Sequence, residues 1–418
     1  MRQRITTRLA LAAVACLSAA PALADIEISA AGQSQTQVAF DGVHELSGIT
    51  FLGGDQYLLV ADQGGLLVSA TIAIDLATGQ FATTPTLDSV TALAFTGGPD
   101  LEGIAYDPRD HSILVSNEAD HTITRFDADD ATLLGSVAVP AVYLQAAGNR
   151  SLEALSMDPH GHTLWTSNEE ALTVDGPLAT DSEGTLVRLQ QFDAQGEASA
   201  QFAYRTDPHR ASGASQARNG VADLIALPDG RVIVMERDLG GGILTFQNHF
   251  YLVDTTDATD TSDLDGLIGE TFTAAEKTHL FTYSAGFSNY EGVTLGPRLD
   301  NGDYALVLVA DDGGGGGFNA QALTTLRLSG INLPGDLDGD WLVGAADLDI
   351  ILAHWGQTVD AGVLLQGDAD GNATVDQQDL DIVLTHWGDG DPPEVVIPEP
   401  AGLLGLGAGL MLCGKRTR

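Results

Sequence analysis

The sequence contains little cysteine and almost no lysine. Cys16 and Cys413 are its two cysteines, and each lies near one end of the 418-residue chain. If both ends are removed, as their motifs predict, the mature chain has no disulfide, and its stability must come from a buried core and bound metal. Lys277 is the only lysine between residues 25 and 399.

The charge of the chain is strongly one-sided. The sequence has 58 acidic and 18 basic residues, and six of the basic ones lie outside residues 25–399, where there is no acid. Such a surface repels nucleic acid and anionic lipid, and it attracts divalent cations. Adaptation to salty surroundings accounts for the same composition. We therefore expect no nucleic-acid partner, and both explanations of the acidity stay open.

Two familiar catalytic motifs are absent. There is no Gly-x-Ser-x-Gly segment to mark a nucleophile, and neither Ser151 nor Ser156 has a histidine nearby in the sequence. The glycine run 313–317 is not followed by Lys-Ser or Lys-Thr, so it does not predict a phosphate-binding loop. His160 and His162 lie in a predicted turn, where we expect them to be exposed rather than ligands.

A two-part acidic phrase recurs along the first three quarters of the chain. Its copies are 101–105 with 115–118, 152–156 with 166–169, and more loosely 46–49 with 60–62, 222–224 with 235–238 and 290–293 with 309–312. Apolar runs around Asp/Pro/Gly turns predict hairpins, and repeated hairpins predict a propeller. We therefore predict an all-β propeller of five or six blades, with 66–98 as the place for a sixth and 27–40 as an outer closing strand.

Hairpin geometry brings the acids of each copy together. The first acid opens one strand and the second closes its antiparallel partner, so both lie at the same end of the pair. Blades around an axis then point the acids at one mouth of a channel, where carboxylates repel one another unless a cation neutralises them. A single acid would be better explained as a strand-end cap or a solvated residue, whereas five equivalent hairpins favour a metal site.

Both ends of the chain carry features of export. Three arginines precede an apolar run that ends at Ala24, which predicts a signal peptide over residues 1–24. Residues 391–418 contain Pro398-Glu399-Pro400, an apolar run too short for an ordinary membrane span, and a basic tail. This segment is similar to the C-terminal sorting signal of bacterial envelope and secreted proteins, which implies a membrane sorting protease as a partner. We expect a secreted or envelope-attached protein.

Residues 335–390 contain a duplicated loop–helix pattern. Each copy has oxygen-bearing side chains at positions 1, 3, 5 and 12 of a loop, followed by an amphipathic helix, which is EF-hand-type calcium spacing. The predicted calcium ligands are Asp336, Asp338, Asp340 and Asp347 in the first loop and Asp368, Asp370, Asn372, Asp376 and Asp379 in the second. We expect Trp355 and Trp387, one after each helix, to pack inside this helical unit.

The duplicated unit resembles a type I dockerin, which implies Ca²⁺ binding and a cohesin-like partner protein. Position 6 of the loops, usually glycine, is Trp341 in the first copy and Ala373 in the second, a departure that predicts weaker calcium binding. The positions that usually contact cohesin read Ala345-Ala346 and Gln377-Gln378. This departure argues against a standard cohesin partner.

Most of residues 40–330 resemble the phytase-like family described as having esterase-like activity. The resemblance rests on 100–105, 149–155, 223–231, 234–238 and 290–293 with 310–312. It implies calcium-assisted hydrolysis of phosphate esters. The residues implied to hold metal are Glu102, Glu118, Glu153, Glu169, Glu236, Glu291 and Asp311. The implied catalytic residues are Glu102, Glu153, Glu291, Arg150 and Arg237. The two arginines would bind phosphate or, equally, neutralise neighbouring carboxylates in a structural network.

These features together predict four segments and leave three functions open. The segments are a signal peptide at 1–24, the propeller at 25–330, a small helical dockerin-like domain at 335–390, and a linker with sorting signal at 391–418. The first function is a secreted, calcium-dependent hydrolase of a small phosphate ester. The second is a non-enzymatic propeller that binds a ligand or partner, and the third is a structural protein that calcium only stiffens.

Overall fold

The computed structural model describes residues 26–390 except 33–35, 38–39, 41, 63, 96–97, 149, 212–215, 242–244 and 315–320. The predicted signal peptide and sorting signal lie outside the described residues. None of the helices in the described part of the chain is long and apolar enough to cross a membrane.

Five antiparallel sheets make up most of the molecule. Two short strands, β1 (Glu27–Ala30) and β2 (Thr36–Gln37), precede the first sheet. Blade 1 contains β3 (Leu46–Gly53), β4 (Gln56–Ala61), β5 (Leu66–Thr71) and β6 (Thr86–Ala92). Blade 2 contains β7 (Leu101–Asp107), β8 (Ser112–Asn117), β9 (Thr122–Asp127) and β10 (Leu133–Val137).

The other three sheets repeat the same meander. Blade 3 contains β11 (Leu152–Met157), β12 (Leu164–Asn168), β13 (Leu186–Phe192) and β14 (Ala198–Arg205). Blade 4 contains β15 (Arg218–Ala226), β16 (Val232–Gly240), β17 (Thr245–Asp254) and β18 (Glu276–Gly286). Blade 5 contains β19 (Asn289–Arg298), β20 (Tyr304–Asp311) and β21 (Ala322–Ser329), to which β1 and β2 add.

The first strand of each blade faces the axis. The strands β3, β7, β11, β15 and β19 contact one another in sequence, and β19 contacts β3, which closes the ring. The ring is also fastened from outside, because β1 pairs with β21 with Ile28 opposite Leu328. The prediction of an all-β propeller of five or six blades is therefore confirmed with five blades, and so is its outer closing strand.

The hydrophobic core lies between the blades rather than inside any one of them. Each of five buried clusters joins two neighbouring sheets, and the last of them joins blade 5 to blade 1. Both faces of a blade are therefore covered, which explains why β8 is buried at every position, including Ser112, Ser116 and Asn117.

A sixth blade is not found among the described residues. The segment 66–98, which was its predicted place, contains β5 and β6, the two outer strands of blade 1. The pattern fades there because these strands lie away from the axis. Six of the seven residues of β6 are exposed and Leu87 is half-buried, so this outer strand has no buried acid phrase.

Two helices follow the propeller. They are α1 (Ala345–His354) and α2 (Gln377–Thr385), and they share a small core with Leu337, Val343 and Val375. The prediction that Trp355 and Trp387 pack inside this unit is wrong, because they are 46% and 48% exposed. Each tryptophan follows the last turn of its helix, where the chain has already left the shared core.

Candidate functional site

The inner strand of every blade contains a β-bulge at the same place. The pairing between inner and second strands shifts register at Ser47, Glu102, Glu153, Ala222 and Glu291, with Gly103 included in the shift of blade 2. A bulge re-aims the side chain of its extra residue. Three of the five bulges therefore present a glutamate at the same end of the channel.

The second strand of each blade contributes one more residue beside the bulge. In each blade the residue just before the bulge pairs with a residue of the second strand, and the next residue of that strand lies beside the bulge. These next residues are Asp62, Glu118, Glu169, Arg237 and Asp311. Four blades thus place an acid there, and blade 4 places an arginine. The repeated acidic phrase suggests Asp223 as the acid of the inner strand in blade 4. The bulge of that strand falls one residue earlier, at Ala222.

The resulting cluster of carboxylates is buried. Ligand oxygens of Glu102, Glu118 and Glu153 lie within 4.8 Å of one another, and so do those of Asp62, Asp100 and Glu102. Glu102, Glu118 and Glu153 are 8%, 2% and 6% exposed. The cluster opens into a cavity of about 310 Å³ that is also lined by Glu169, Glu291 and Asp311.

Burial and mutual repulsion raise the pKa values of five carboxyl groups in and beside the cavity. Loss of water raises the pKa of Asp62 and of Glu118 to about 8 and that of Glu291 to about 7, and neighbouring carboxylates add to each shift. Glu102 and Glu153 have pKa values well above the ordinary range of a glutamate for the same two reasons. The site is therefore one that a divalent cation would stabilise in its ionised form.

Arg237 neutralises part of the cluster from within. Its guanidinium donates to Glu169 at 2.7 Å and to Glu291, and it lies 3.5 Å from Glu153. The side chain is 5% exposed. Asn289 extends the network, since its amide nitrogen donates to Glu291 at 2.7 Å. Of the two roles predicted for Arg237, this geometry matches the structural one.

Arg150 and Arg218 stand at the rim of the same cavity. Arg150 is one-third exposed and pairs with Glu170 at 2.5 Å. Arg218 begins β15, and no feature of the sequence had marked it. Arg150 precedes blade 3 and Arg218 begins blade 4, so the two side chains line the cavity from neighbouring blades.

Glu236 does not join the cluster, and its predicted role as a metal ligand is corrected here. Its carboxylate accepts bonds from Tyr204 at 2.6 Å, Asn219 at 2.7 Å and Lys277 at 2.6 Å. The neighbouring Arg237 points toward the axis, and adjacent strand residues point to opposite faces. Glu236 therefore serves the contact between blades 3 and 4.

Asp223 holds three blades together at the axis. Its carboxylate accepts the backbone N–H groups of Val293 at 2.7 Å, Leu224 at 2.8 Å and Leu155 at 3.4 Å. These residues belong to the inner strands of blades 5, 4 and 3. The acid that the sequence grouped with the metal phrase is thus a structural acceptor.

Ser151 does have a histidine partner, which sequence proximity failed to reveal. His121 Nδ1 lies 2.7 Å from Ser151 Oγ, although the two residues are 30 positions apart. Ser151 is fully buried, and its N–H donates to Glu118. The pair therefore positions a carboxylate of the cluster, and it does not present a nucleophile to solvent.

The two acidic loops after the propeller each gather three of their predicted ligands. Asp336, Asp338 and Asp347 form one group, and Asp368, Asp370 and Asp379 form the other, each with ligand oxygens within 4.8 Å of one another. The remaining predicted ligands serve the loop backbone. Asp340 and Asn372 accept N–H groups two residues ahead, and Asp376 is the N-cap of α2.

The first acidic loop lies against the propeller. Trp341, the unusual residue at loop position 6, stacks on Tyr304 with ring centroids 6.0 Å apart. Arg298 of β19 donates to the backbone oxygen of Asp336 at 2.6 Å. These contacts cover a cavity of about 340 Å³ at the end of the inner strands opposite to the carboxylate cluster.

Comparison with known proteins identifies the family of this chain. No curated protein matches the chain. Similar solved structures include Kuenenia stuttgartiensis hydrazine synthase (12% identity over 66% of this chain and 79% of that chain, TM-score 0.35). Others are regucalcin, a calcium-binding protein from Agrobacterium tumefaciens (12%, 70% and 93%, 0.37), and the PQQ-bound aldose sugar dehydrogenase of Streptomyces coelicolor (13%, 71% and 98%, 0.31). Structural similarity at these TM-scores carries no argument about this chain.

The sequence profile of the phytase-like family, described as esterase-like activity of phytase, matches residues 41–314. This is more than half of the chain, and the protein therefore belongs to that family.

Proposed function

We propose that the protein is a calcium-dependent hydrolase of phosphate esters that acts at the carboxylate cluster. The observation that carries the proposal is the cavity itself, which is lined by six acidic residues and three arginines. Burying so many like charges is costly, so a purely structural role would favour fewer of them. Arg150 and Arg218 at the rim are matched to a phosphate, because a guanidinium can bind phosphate oxygens with two parallel hydrogen bonds.

The residues present fit calcium. The groups that line the cavity are carboxylates and arginines, and no histidine or cysteine is among the described lining residues. One buried oxygen each of Asp62 and Glu118 has no hydrogen-bond partner within the described part of the chain. Calcium prefers oxygen ligands, and a carboxylate oxygen that accepts no hydrogen bond is available to bind it.

In this proposal the residues of the chain divide the work. Glu102, Glu118 and Glu153 hold the cation, and Arg237 keeps Glu169 and Glu291 in place beside them. Calcium, when bound, offsets the charge that develops on the phosphoryl oxygens and lowers the pKa of a bound water. The rim arginines orient the ester so that its phosphoryl group faces the cluster.

The test is phosphate release by the purified full chain from phytate and from p-nitrophenyl phosphate, with calcium and then with chelator. Glu153→Gln removes one charge at the cluster while keeping the shape, and we expect about a 100-fold loss of turnover. Glu183→Gln is the matched control, because Glu183 is two-thirds exposed on a loop of blade 3. Turnover that survives chelation, or Glu153→Gln that equals the control, contradicts the proposal.

A specific observation favours a second candidate, a propeller that binds calcium or a ligand without turnover. Arg237 is already engaged by carboxylates of blades 3 and 5, as expected of a network that only fastens the blades. In that case calcium raises the unfolding temperature of the full chain, and neither ester yields phosphate.

The loops after the propeller support a further part of the proposal, which is calcium binding in a dockerin-like module. One oxygen of Asp368 is buried and has no hydrogen-bond partner among the described residues, and the carboxylates of the second loop converge on it. We propose a cohesin-like protein as partner, with secretion and C-terminal sorting of the chain. A pull-down with cohesin domains, and mass measurement of the exported protein, test these points. An exported protein that retains residues 1–24 contradicts the predicted processing.

A further inference from the structure

A second cluster of ligand side chains lies far from the carboxylates, in the turn between β11 and β12. Asp158 follows the last residue of β11, and His160 and His162 come next in the same turn. One ligand atom from each lies within 4.8 Å of the others. Asp158 and His160 are both 4% exposed, and His162 is half-buried. The expectation that both histidines are exposed is therefore wrong for His160.

The turn is held in place by its own hydrogen bonds. Asp158 accepts the N–H of His160 at 2.8 Å, the N–H of Thr163 and the hydroxyl of Thr163 at 2.9 Å, and its own N–H donates to the carbonyl of Thr163 at 3.0 Å. A carboxylate offers about four lone pairs, so Asp158 keeps acceptor capacity for another bond. Gly161, with φ of +76°, turns the chain between the two histidines and leaves their rings 5.5 Å apart.

The chemistry of this cluster differs from that of the carboxylate sites. Two imidazoles and one carboxylate suit zinc and related transition metals, whereas calcium needs six to eight oxygens. Tetrahedral zinc with bonds of about 2.0–2.2 Å places its ligands about 3.4 Å apart. The three ligand atoms lie within 4.8 Å of one another, so zinc would draw them closer by up to about 1.4 Å.

Arg109 is a cation beside the turn. It packs over Gly161, and its guanidinium donates to both oxygens of Asp107, at 2.9 and 2.7 Å, and to the carbonyl of Ala194 at 2.7 Å. Asp107 is also paired with Arg125 at 2.9 Å, so Arg109 is only partly neutralised and acts on Asp158 as well. A metal ion on the turn must therefore bind beside a cation whose donors are turned toward Asp107.

The cluster also touches the part of the chain that follows the propeller. The ring of His160 meets the indole of Trp341 edge to face, with centroids 5.7 Å apart. Asp158 lines the cavity that Trp341 covers. A metal ion on the turn would fix His160 in this contact, and a paramagnetic one would quench the fluorescence of Trp341.

We propose that Asp158, His160 and His162 form a zinc-type metal site at the end of the propeller opposite to the carboxylate cluster. Three protein ligands leave a fourth position for water. The site is independent of the proposed hydrolase, since it lies in a different turn and uses different donors.

The experiment is zinc binding by the purified full chain in the presence of excess calcium, which occupies the oxygen-only sites. We expect about one equivalent of Zn²⁺ to bind to the wild-type chain. Substituting Co²⁺ should give tetrahedral absorption bands and reduced tryptophan fluorescence, and Trp341→Phe should remove most of the fluorescence change. His162→Gln should abolish both binding and bands.

His111→Gln is the matched control, because His111 occupies the corresponding turn between β7 and β8 and is exposed. Equal zinc uptake by wild type and His162→Gln overturns the proposal, as does the absence of uptake above the calcium-saturated baseline. Loss of uptake in both histidine variants means non-specific binding and also overturns it. Calcium-dependent phosphate release should be the same in His162→Gln and wild type, so the zinc and hydrolase proposals fail or hold separately.

Discussion

At the scale of single residues, the identity of one side chain decides the character of each blade at the axis. The bulge position is serine in blade 1, alanine in blade 4 and glutamate in the other three. The residue beside it is an acid in four blades and Arg237 in blade 4. Blade 4 therefore supplies the positive charge that the other blades need, and the cluster is asymmetric within a repeated fold.

Asp223 gives the sharpest test at this scale. In Asp223→Asn one carboxylate oxygen becomes an NH₂ group, which faces a backbone N–H in either orientation because both oxygens accept such donors. An unsatisfied buried donor costs about 1–3 kcal/mol, so we expect the free energy of unfolding to fall by that amount. The measurement is a urea unfolding curve, with exposed Asp263→Asn as control. Equal curves would mean that Asp223 does not join the blades.

At the scale of elements, the inner strands are close enough that side chains must be absent at certain positions. A Cβ on Gly103 of β7 would lie 2.6 Å from Cβ of Leu155 and 2.7 Å from its backbone nitrogen. A Cβ on Gly48 of β3 would lie 2.4 Å from the carbonyl oxygen of Glu102. The glycine of the repeated phrase thus allows neighbouring inner strands to pack closely. The glutamate that precedes Gly103 lines the channel.

We expect Gly103→Ala to destabilise the propeller by about 1–3 kcal/mol, because the new methyl group must push β7 and β11 apart. Gly135→Ala is the control, since Gly135 lies in outer strand β10 with no atom within 4 Å of its added Cβ. That variant should change stability by less than about 0.5 kcal/mol. Chemical unfolding with chelator present compares the two, and a tolerant Gly103→Ala would show that the inner strands can separate freely.

At the scale of the whole molecule, one of the residues through which the propeller and the two-helix unit meet is unusual for its position. Trp341 has φ of +63° at a loop position where glycine is usual, and this strain is offset by contact with Tyr304 and His160. Ala373, at the same position of the second loop, has φ of +68° and lies on no such contact. The departure from the dockerin pattern in the first loop therefore has a tertiary cause.

Replacing the two residues by glycine should have opposite consequences. Trp341→Gly relieves strain but removes an aromatic contact worth about 0.5–1.5 kcal/mol beyond its buried area, so hydrogen exchange should quicken around 298–304 and 336–343. Ala373→Gly relieves strain of about 1 kcal/mol and should stabilise the second loop without changing exchange in those segments. Unchanged exchange in Trp341→Gly would mean that the two parts do not depend on this contact.

Stability without calcium should depend on pH through the carboxylate cluster. The pKa values of Asp62, Glu118 and Glu291 rise on folding to about 8, 8 and 7, so the native state binds more protons than the unfolded state above pH 4. Stability from these groups is full below their unfolded pKa and is lost as pH rises through about 7–8.

In chelator, the urea midpoint should therefore be lower at pH 9 than at pH 6. Saturating calcium should flatten or reverse this trend, because calcium binds the deprotonated carboxylates. Midpoints that rise with pH in chelator would contradict the burial of these groups. The carboxyl of Asp107 has a lowered pKa beside Arg109 and titrates below this pH window, whereas burial raises the pKa of Asp223 to about 8, so Asp223 adds to the trend in chelator.

The sequence by itself determined the features that arise within one hairpin. The apolar runs, the turns and the acids at strand ends lie within about 20 residues of one another, so a linear repeat predicts blades and an acidic mouth. Only the tertiary structure decided features that depend on contacts between blades. These are the place of the bulge at Ala222, the pairing of Arg237 with Glu169 and Glu291, and the use of Glu236 away from the channel. The stacking of Trp341 on Tyr304 and the grouping of Asp158 with His160 and His162 were also decided only by the tertiary structure. Local spacing cannot specify them, because strand register and blade packing are set by residues far apart in the chain.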